Sequence, residues 1–175
     1  MKPKRLSREI VYQSSWVNLY LDKVKFPSGL VIEKFHMLDF PTAAVAAIME
    51  DEFGNVLFVR ISRYTTGLTD WELPAGGIEN GETVNDAARR EILEETGYIT
   101  DEPKLVYSFY PMPGNTNKLF HIVQCKAIEC RQEFDRNEVS QTRWFTREDT
   151  KQMIKERILP DGFTLTALLL WLQNG

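Results

Sequence analysis

Apolar positions along the chain recur with a period of two in some stretches and near 3.6 in others, which separates strands from helices. Val17, Leu19 and Leu21 alternate with polar or amphipathic neighbours, the mark of a half-buried strand. Pro27-Ser28-Gly29 then supplies turn chemistry, and residues 30–37 read as the returning strand. A two-stranded hairpin is marginal alone, so this extension must pack on its own domain or on a second copy. Phe40-Pro41 marks the boundary, and beyond it TAAVAAIME at 42–50 reads as a buried strand of small residues. Another strand is predicted over 56–61, then a polar loop over 62–70 and a short strand at 71–73. The spacing of Val84, Ala87, Ala88 and Ile92 predicts a helix over 84–96. Thr83, with Asp86 three residues on, suits its start, and Gly97 suits the left-handed position that stops it. Strands are expected at 104–110, 119–127 and 139–145, with helices at 146–157 and 164–173. Strands outnumber helices, and short turns join several of them, which predicts an α+β fold with a mixed sheet.

Composition narrows the class. At 175 residues, with 43% apolar and 26% charged side chains, the chain can bury a proper core as one domain, and disorder is excluded. No window reaches the ~18 apolar residues needed to span a bilayer, and the basic N-terminus lacks the apolar run of a signal peptide. The net charge is −4, so a generic nucleic-acid partner is not expected. Residues 1–40 carry seven basic and four acidic side chains (+3), which leaves −7 for the rest. Cys125 and Cys130 make no disulfide framework and read as inert buried thiols of a cytoplasmic protein. His36, His121, Trp144 and Trp171 read as structural, and Leu165, Leu168, Leu169 and Leu172 as a packing stripe.

The chemistry concentrates in 72–98, ELPAGGIENGETVNDAARREILEETGY. Glu91, Glu94 and Glu95 stand at i, i+3 and i+4, so they crowd one turn of the helix and raise one another's pKa. A hard dication, Mg²⁺ or Mn²⁺, relieves that repulsion because it takes several oxygen ligands. Arg90 can pair with Glu94 or with Glu82. Gly76, Gly77 and Gly81 permit tight turns, so a backbone carbonyl, that of Ala75, can point at the same cation. A Glu-rich helix alone is ordinarily a solvated face, and the full spacing is what changes the reading. After Gly76 come five residues and Glu82, then seven more and the run Arg90-Glu91-Ile92-Leu93-Glu94-Glu95-Thr96-Gly97. This resembles the Nudix box with all seven fixed Gly, Glu and Arg positions filled. Tyr98 stands where an aliphatic residue is usual.

The resemblance implies an α/β/α sandwich over 41–175, with residues 1–40 as a β-hairpin extension that serves a dimer or the substrate. It further implies metal-assisted attack of water on a nucleoside diphosphate joined to a further group. Carried over by position, the metal ligands are Glu91, Glu95, Glu94 and the Ala75 carbonyl, and Arg90, Glu94, Glu95 and Glu138 form the catalytic set. Trp71-Glu72-Leu73-Pro74-Ala75-Gly76, with Pro113 and Gly114 sixteen and seventeen residues beyond Gly97, resembles the ADP-ribose pyrophosphatase group. That likeness implies a homodimer that exchanges the extension, base stacking by Trp16 or Tyr20, and phosphate contact by Arg63. The general base is expected in the acidic loop 132–141, as Glu138 or else Glu133. Ile61 stands where Gln is common in the group. The resulting expectation is cleavage of ADP-ribose to AMP and ribose 5-phosphate. Its alternatives are a nucleotide-sugar hydrolase acting on a substrate such as GDP-mannose, a nucleoside triphosphate hydrolase, or a silent nucleotide sensor.

Overall fold

A computed structural model describes residues 1–173, which divide into two compact units. The first comprises Met1–Ala43 together with Tyr110–Leu119. Strands β1 (Lys4–Tyr12), β2 (Asn18–Lys25) and β3 (Val31–Asp39) form an antiparallel sheet in the order β1-β2-β3. The expected hairpin is β2–β3, closed through Phe26 to Leu30, and the structure adds β1 as a third strand. Nearly every β1 residue is exposed, so its sequence lacks the alternation that marks a strand. An ion pair supplies part of what burial does not. Arg8 donates through Nε and Nη2 to the two oxygens of buried Asp22, each at 2.7 Å, and its guanidinium covers the Tyr20 ring at 3.8 Å. The Arg8 guanidinium also holds the Asp22 carboxyl below its ordinary pKa. The far segment joins β3 through polar contacts: Leu38 N donates to Asn115 O (2.9 Å) and Phe40 N to Asn117 Oδ1 (2.7 Å). Asp39 accepts from both Asn117 and Asn18.

The second unit comprises Ala44–Phe109 and the chain from Phe120 onward. It contains β4 (Ala44–Glu50), β5 (Val56–Ser62), β6 (Thr69–Glu72), β7 (Ala75–Gly77), α1 (Val84–Thr96), β8 (Tyr98–Thr100), β9 (Lys104–Phe109), β10 (Phe120–Cys130), β11 (Val139–Phe145), α2 (Arg147–Lys155) and α3 (Gly162–Gln173). The sheet runs β11-β5-β4-β10-β8, with β4 and β10 parallel and the other pairs antiparallel, so it is mixed as expected. In β4, Ala44, Ala46 and Ile48 enter one core cluster with Phe163, Ala167, Leu168 and Trp171 of α3. Val45, Ala47 and Met49 enter the other, with Ala87, Ala88 and Ile92 of α1. Both faces of β4 are therefore covered by helices, which accounts for its run of small apolar residues. Leu169 of the expected stripe is instead exposed, and buried Thr164 joins the packed side of α3. Cys125 is buried, with its thiol pushed up to about 12 by desolvation, whereas Cys130 is exposed. The expectation of two buried thiols therefore fails at Cys130, which lies at the end of edge-paired β10. Among the described residues no helix is long and apolar enough to cross a membrane.

Strands β4 and β5 pair only at Glu50 and Val56, and diverge from there. Into the opening run β6, paired with β5, and β7, paired with β4. The chain between them, Leu73-Pro74, crosses from one ladder to the other.

Replacing Asp22 with Asn should loosen β1 by about 1–3 kcal/mol, because Arg8 is left desolvated without its partner. Amide hydrogen exchange should show faster exchange at Lys4–Tyr12 with the second unit unchanged. The depressed Asp22 pKa fixes the acid behaviour as well. Its stabilisation is present above the unfolded carboxylate pKa of ~3.9 and is lost as pH falls through the lower folded value.

Candidate active site

The backbone from Glu72 to Gly76 is clamped from several sides. Leu73 N donates to the buried Thr164 Oγ1 at 3.0 Å, which ties the strand to α3. The Pro74 carbonyl accepts from Ala47 N at 2.9 Å. Proline has no amide hydrogen, which suits the point where the chain leaves one ladder for another. Ala75 N donates to Glu95 Oε2 at 2.9 Å. Gly76 lies so close to Glu91 that a methyl group in place of its hydrogen would overlap the Glu91 carboxylate. The glycine is required by that close approach.

Helix α1 presents its acids at graded depth. Thr83 caps its start by accepting from Asp86 N, and Gly97, at φ 77°, closes its end through Leu93 O. Ala88, Ile92 and Glu95 follow one another on the packed stripe, so Glu95 continues an apolar row and is only 4% exposed. Burial, with the charges of Glu91 and Glu138 beside it, pushes Glu95 up to about 8, against the pull of Ala75 N and Arg63. Glu91 is raised by burial too, partly offset by Arg90. Glu94 stays outside, its side chain 54% exposed. Arg90 binds this group together. It donates to both oxygens of Glu82 (2.8 and 3.0 Å), to Glu91 at 2.7 Å, to Glu94 at 3.3 Å and to Gly77 O at 2.8 Å. Both partners anticipated for Arg90 are thus used at once. The pairing holds Glu82 down to about 2 and leaves Arg90 as a fixed strut rather than an open cation.

Two further groups reach the cluster. The loop after β10 is pinned to the end of α1: Arg131 N donates to Gly97 O (2.8 Å) and Asp135 N to Glu94 O (2.8 Å). Its Glu138 is exposed, and its charge is felt at both Glu91 and Glu95. Glu133 of the same loop is instead paired with Arg136 at 3.3 Å. Arg63, just past β5, donates to buried Glu72 and lies within electrostatic reach of Glu95. An open groove of about 480 Å³ elsewhere on this unit, lined by Arg60, Trp71, Phe134 and Arg143 among others, holds no carboxylate.

The donor chemistry of the cluster fits a hard dication: all oxygen, two carboxylates desolvated and reluctant to ionise, a third charge beside them. Among the described residues no three acidic side chains already stand in a closed ligand set, since Glu91 faces Arg90 and Glu95 faces Ala75 N.

Comparison with known proteins settles the lineage. A family model described as NUDIX domain matches residues 40–164. The chain belongs to the Nudix family. It is 28% identical over 171 residues to an ADP-ribose pyrophosphatase of Bacillus subtilis (strain 168), covering 96% of this chain and 91% of that one. An ADP-ribose pyrophosphatase of Escherichia coli (strain K12) is 30% identical over 181 residues, covering 96% and 86%. A methanol dehydrogenase activator of Bacillus methanolicus is 28% identical over 168 residues, covering 94% and 90%. A solved structure titled as an ADP compounds hydrolase superposes with a TM-score of 0.86 over 99% of this chain and 96% of that one, at 19% identity, so it carries the fold. The protein is a Nudix pyrophosphohydrolase of α+β fold, similar to ADP-ribose pyrophosphatases.

The Nudix unit thus brings together Arg63, Ala75, Arg90, Glu91, Glu94, Glu95 and Glu138. The other anticipated residues lie in the N-terminal unit. Trp16 is 85% exposed, while Tyr20 is buried with a ring face under Arg8. Pro113 and Gly114 occupy the turn at 112–116, where Asn115 N and Thr116 N donate to Met112 O. Sequence reasoning gave no role to Glu72 or Thr164. Glu72 carried a signal, a charge between Trp71 and Leu73 in a predicted short strand. Nothing in the α3 sequence separates Thr164 from a surface threonine.

Burial of Glu95 favours its protonated form in the metal-free protein. That contribution to stability is full below the unfolded carboxylate pKa of ~4.3 and is lost as pH rises through the folded value of about 8. Glu95→Gln should therefore raise Tm of the metal-free protein at pH 8.5 by a few degrees, on the order of 1–2 kcal/mol. Addition of Mg²⁺ or Mn²⁺ should raise the Tm of the wild type and leave that of the variant unchanged. Differential scanning calorimetry with and without the cation reads both effects.

Proposed function

We propose that this Nudix enzyme hydrolyses the diphosphate of ADP-ribose to AMP and ribose 5-phosphate, with Mg²⁺ or Mn²⁺ as cofactor. The observation that carries the reading is one turn of α1 on which desolvated Glu91 and Glu95 face the charge of Glu138, with Arg63 beside them. The names of the two pyrophosphatase relatives support the choice of substrate.

Glu91 and Glu95 would hold the cation, with Glu94 at the rim and the Ala75 carbonyl completing the set. Such a cation, when bound, neutralises charge on the diphosphate oxygens. Arg63 presents to a non-bridging phosphate oxygen the guanidinium edge that Glu72 does not occupy, its Nη1. Glu138 takes a proton from the attacking water. The water oxygen forms a new bond to one phosphorus as that phosphorus loses its bond to the bridging oxygen, which leaves on the other phosphate. Arg90 acts through others, holding Glu91 and Glu94 by way of Glu82 and Gly77 O. In the N-terminal unit we assign base stacking to Trp16, because Tyr20 is already covered by Arg8. Pro113 and Gly114 are assigned to the substrate-facing turn, as in the related group. Residues 1–40 then act as an extension shared by a cytoplasmic homodimer, with no nucleic-acid or membrane partner. Leu6, Ile10, Val11 and Tyr12, all exposed on β1, are the apolar surface such a dimer covers.

A phosphate-release screen with coupled phosphatase and Mg²⁺ or Mn²⁺ tests the substrate. ADP-ribose should exceed GDP-mannose, ADP-glucose, NADH, diadenosine polyphosphates and dNTPs in kcat/KM; a preference for dNTPs overturns the assignment. Glu138→Gln should lower kcat by about 10²–10³ with KM changed less than about threefold, the signature of a lost general base. An unchanged kcat removes Glu138 from the reaction. Light scattering should give a mass twice 20.3 kDa, and a single-chain mass overturns the dimer.

A further inference from the structure

The Arg63–Glu72 pair is arranged for something other than stability. Glu72 lies in the β5–β6 ladder opposite Val59 and is 5% exposed, so its charge is taken almost wholly out of water. Arg63 Nε stands 3.0 and 3.2 Å from the two Glu72 oxygens, and Nη2 stands 2.5 Å from Oε2, a fork-on-fork contact. The Arg63 side chain is nonetheless 46% exposed, so the arginine reaches out of the core while its anchor stays inside. Desolvating the Glu72 carboxylate costs free energy that a pair with a half-exposed arginine offsets only in part. The next anion to act on Arg63 is Glu95, followed by Asp161 near the start of α3. The backbone amides of Arg63 and Gly67 close the following turn through Leu68 O and Arg63 O, which fixes where the arginine begins.

A mobile guanidinium beside two desolvated carboxylates would pair with them, and the same oxygens could then not serve a cation. Arg90 is held back in part, because Glu82, a carboxylate outside the Glu91–Glu95 set, takes Nε and Nη2 and leaves only Nη1 for Glu91 and Glu94. Glu72 does the same for Arg63. We propose that Glu72 is a positioning residue that holds Arg63 off Glu95, keeping the arginine available for an anionic substrate and the carboxylate available for a divalent cation. Glu72 also belongs to the segment whose Ala75 N donates to Glu95. The short stretch from Glu72 at the end of β6 to Ala75 at the start of β7 therefore touches both opposing charges. The proposal takes the ligands of Arg63 and Glu95 from the function proposed above.

The test is Mn²⁺ binding to the full-length protein without substrate, followed by electron paramagnetic resonance, beside steady-state kinetics. Glu72→Gln should weaken Mn²⁺ binding at least tenfold and raise the substrate KM. Glu72→Gln combined with Arg63→Gln should return Mn²⁺ affinity to within about threefold of wild type, although KM stays high. Arg63→Gln alone should raise KM and leave Mn²⁺ affinity unmoved. A merely structural role for Glu72 would not allow a second substitution to restore cation binding. If Glu72→Gln does not fold, Arg63→Lys serves instead, because an ammonium cannot fill the fork. Arg63→Lys should weaken Mn²⁺ binding where Arg63→Gln does not. Wild-type Mn²⁺ affinity in Glu72→Gln, or in its fallback Arg63→Lys, overturns the role of Glu72, as does failure of the double variant to recover. Absence of Mn²⁺ binding by the wild type overturns the site itself.

Discussion

The site depends on carboxylates being held where water cannot fully solvate them. Glu95 sits on the apolar stripe of α1, where Ala88 and Ile92 precede it, and its carboxylate finds only the Ala75 amide as a close donor. Its pKa near 8 is the consequence. Such a residue is a poor choice for a stable fold and a good one for capturing a cation, since desolvated oxygens gain more from a dication than hydrated ones do. Two core clusters of the second unit, one on each face of β4, fix α1 against the sheet with Glu95 at its buried edge.

Around this point the charges are separated by dedicated partners. Arg90 is neutralised by Glu82 and Arg63 by Glu72, both in two-pronged contacts. Arg90 keeps a third donor on Glu91 and Glu94, while Arg63 makes no hydrogen bond to Glu95. The separation is built on backbone as much as on side chains. Thr164 of α3, Ala47 of β4 and Glu95 of α1 each bind one residue of Leu73-Pro74-Ala75, so elements from both faces of the sheet converge on three consecutive residues. The divergence of β4 from β5 opens the room for that strand, and the close approach of Gly76 to Glu91 completes it.

The N-terminal unit follows a different logic. It has little buried apolar surface, and polar pairs do much of the holding: Arg8 with Asp22, and Asp39 with both Asn18 and Asn117. This explains why 110–119, seventy residues beyond β3, groups with the first strands rather than with its neighbours in sequence. Asparagine contacts at such separation leave no periodic trace.

What the sequence alone determined was local and regular. The helix at 84–96, with its Thr83 cap and Gly97 stop, follows from side-chain periodicity and from a left-handed backbone position, both written in neighbouring residues. The strand at 139–145 and the mixed sheet were legible for the same reason, and the box spacing identified the acids. Tertiary structure alone decided how those acids differ: three carboxylates equivalent in spacing became buried Glu95, half-buried Glu91 and exposed Glu94. It also supplied β1, separated exposed Cys130 from buried Cys125, chose Glu138 over Glu133 as the charge facing the helix, and gave Glu72 and Thr164 their partners. The physical reason is that burial and long-range pairing are set by what packs against a residue from distant parts of the chain. Spacing records only which residues share a turn or a face.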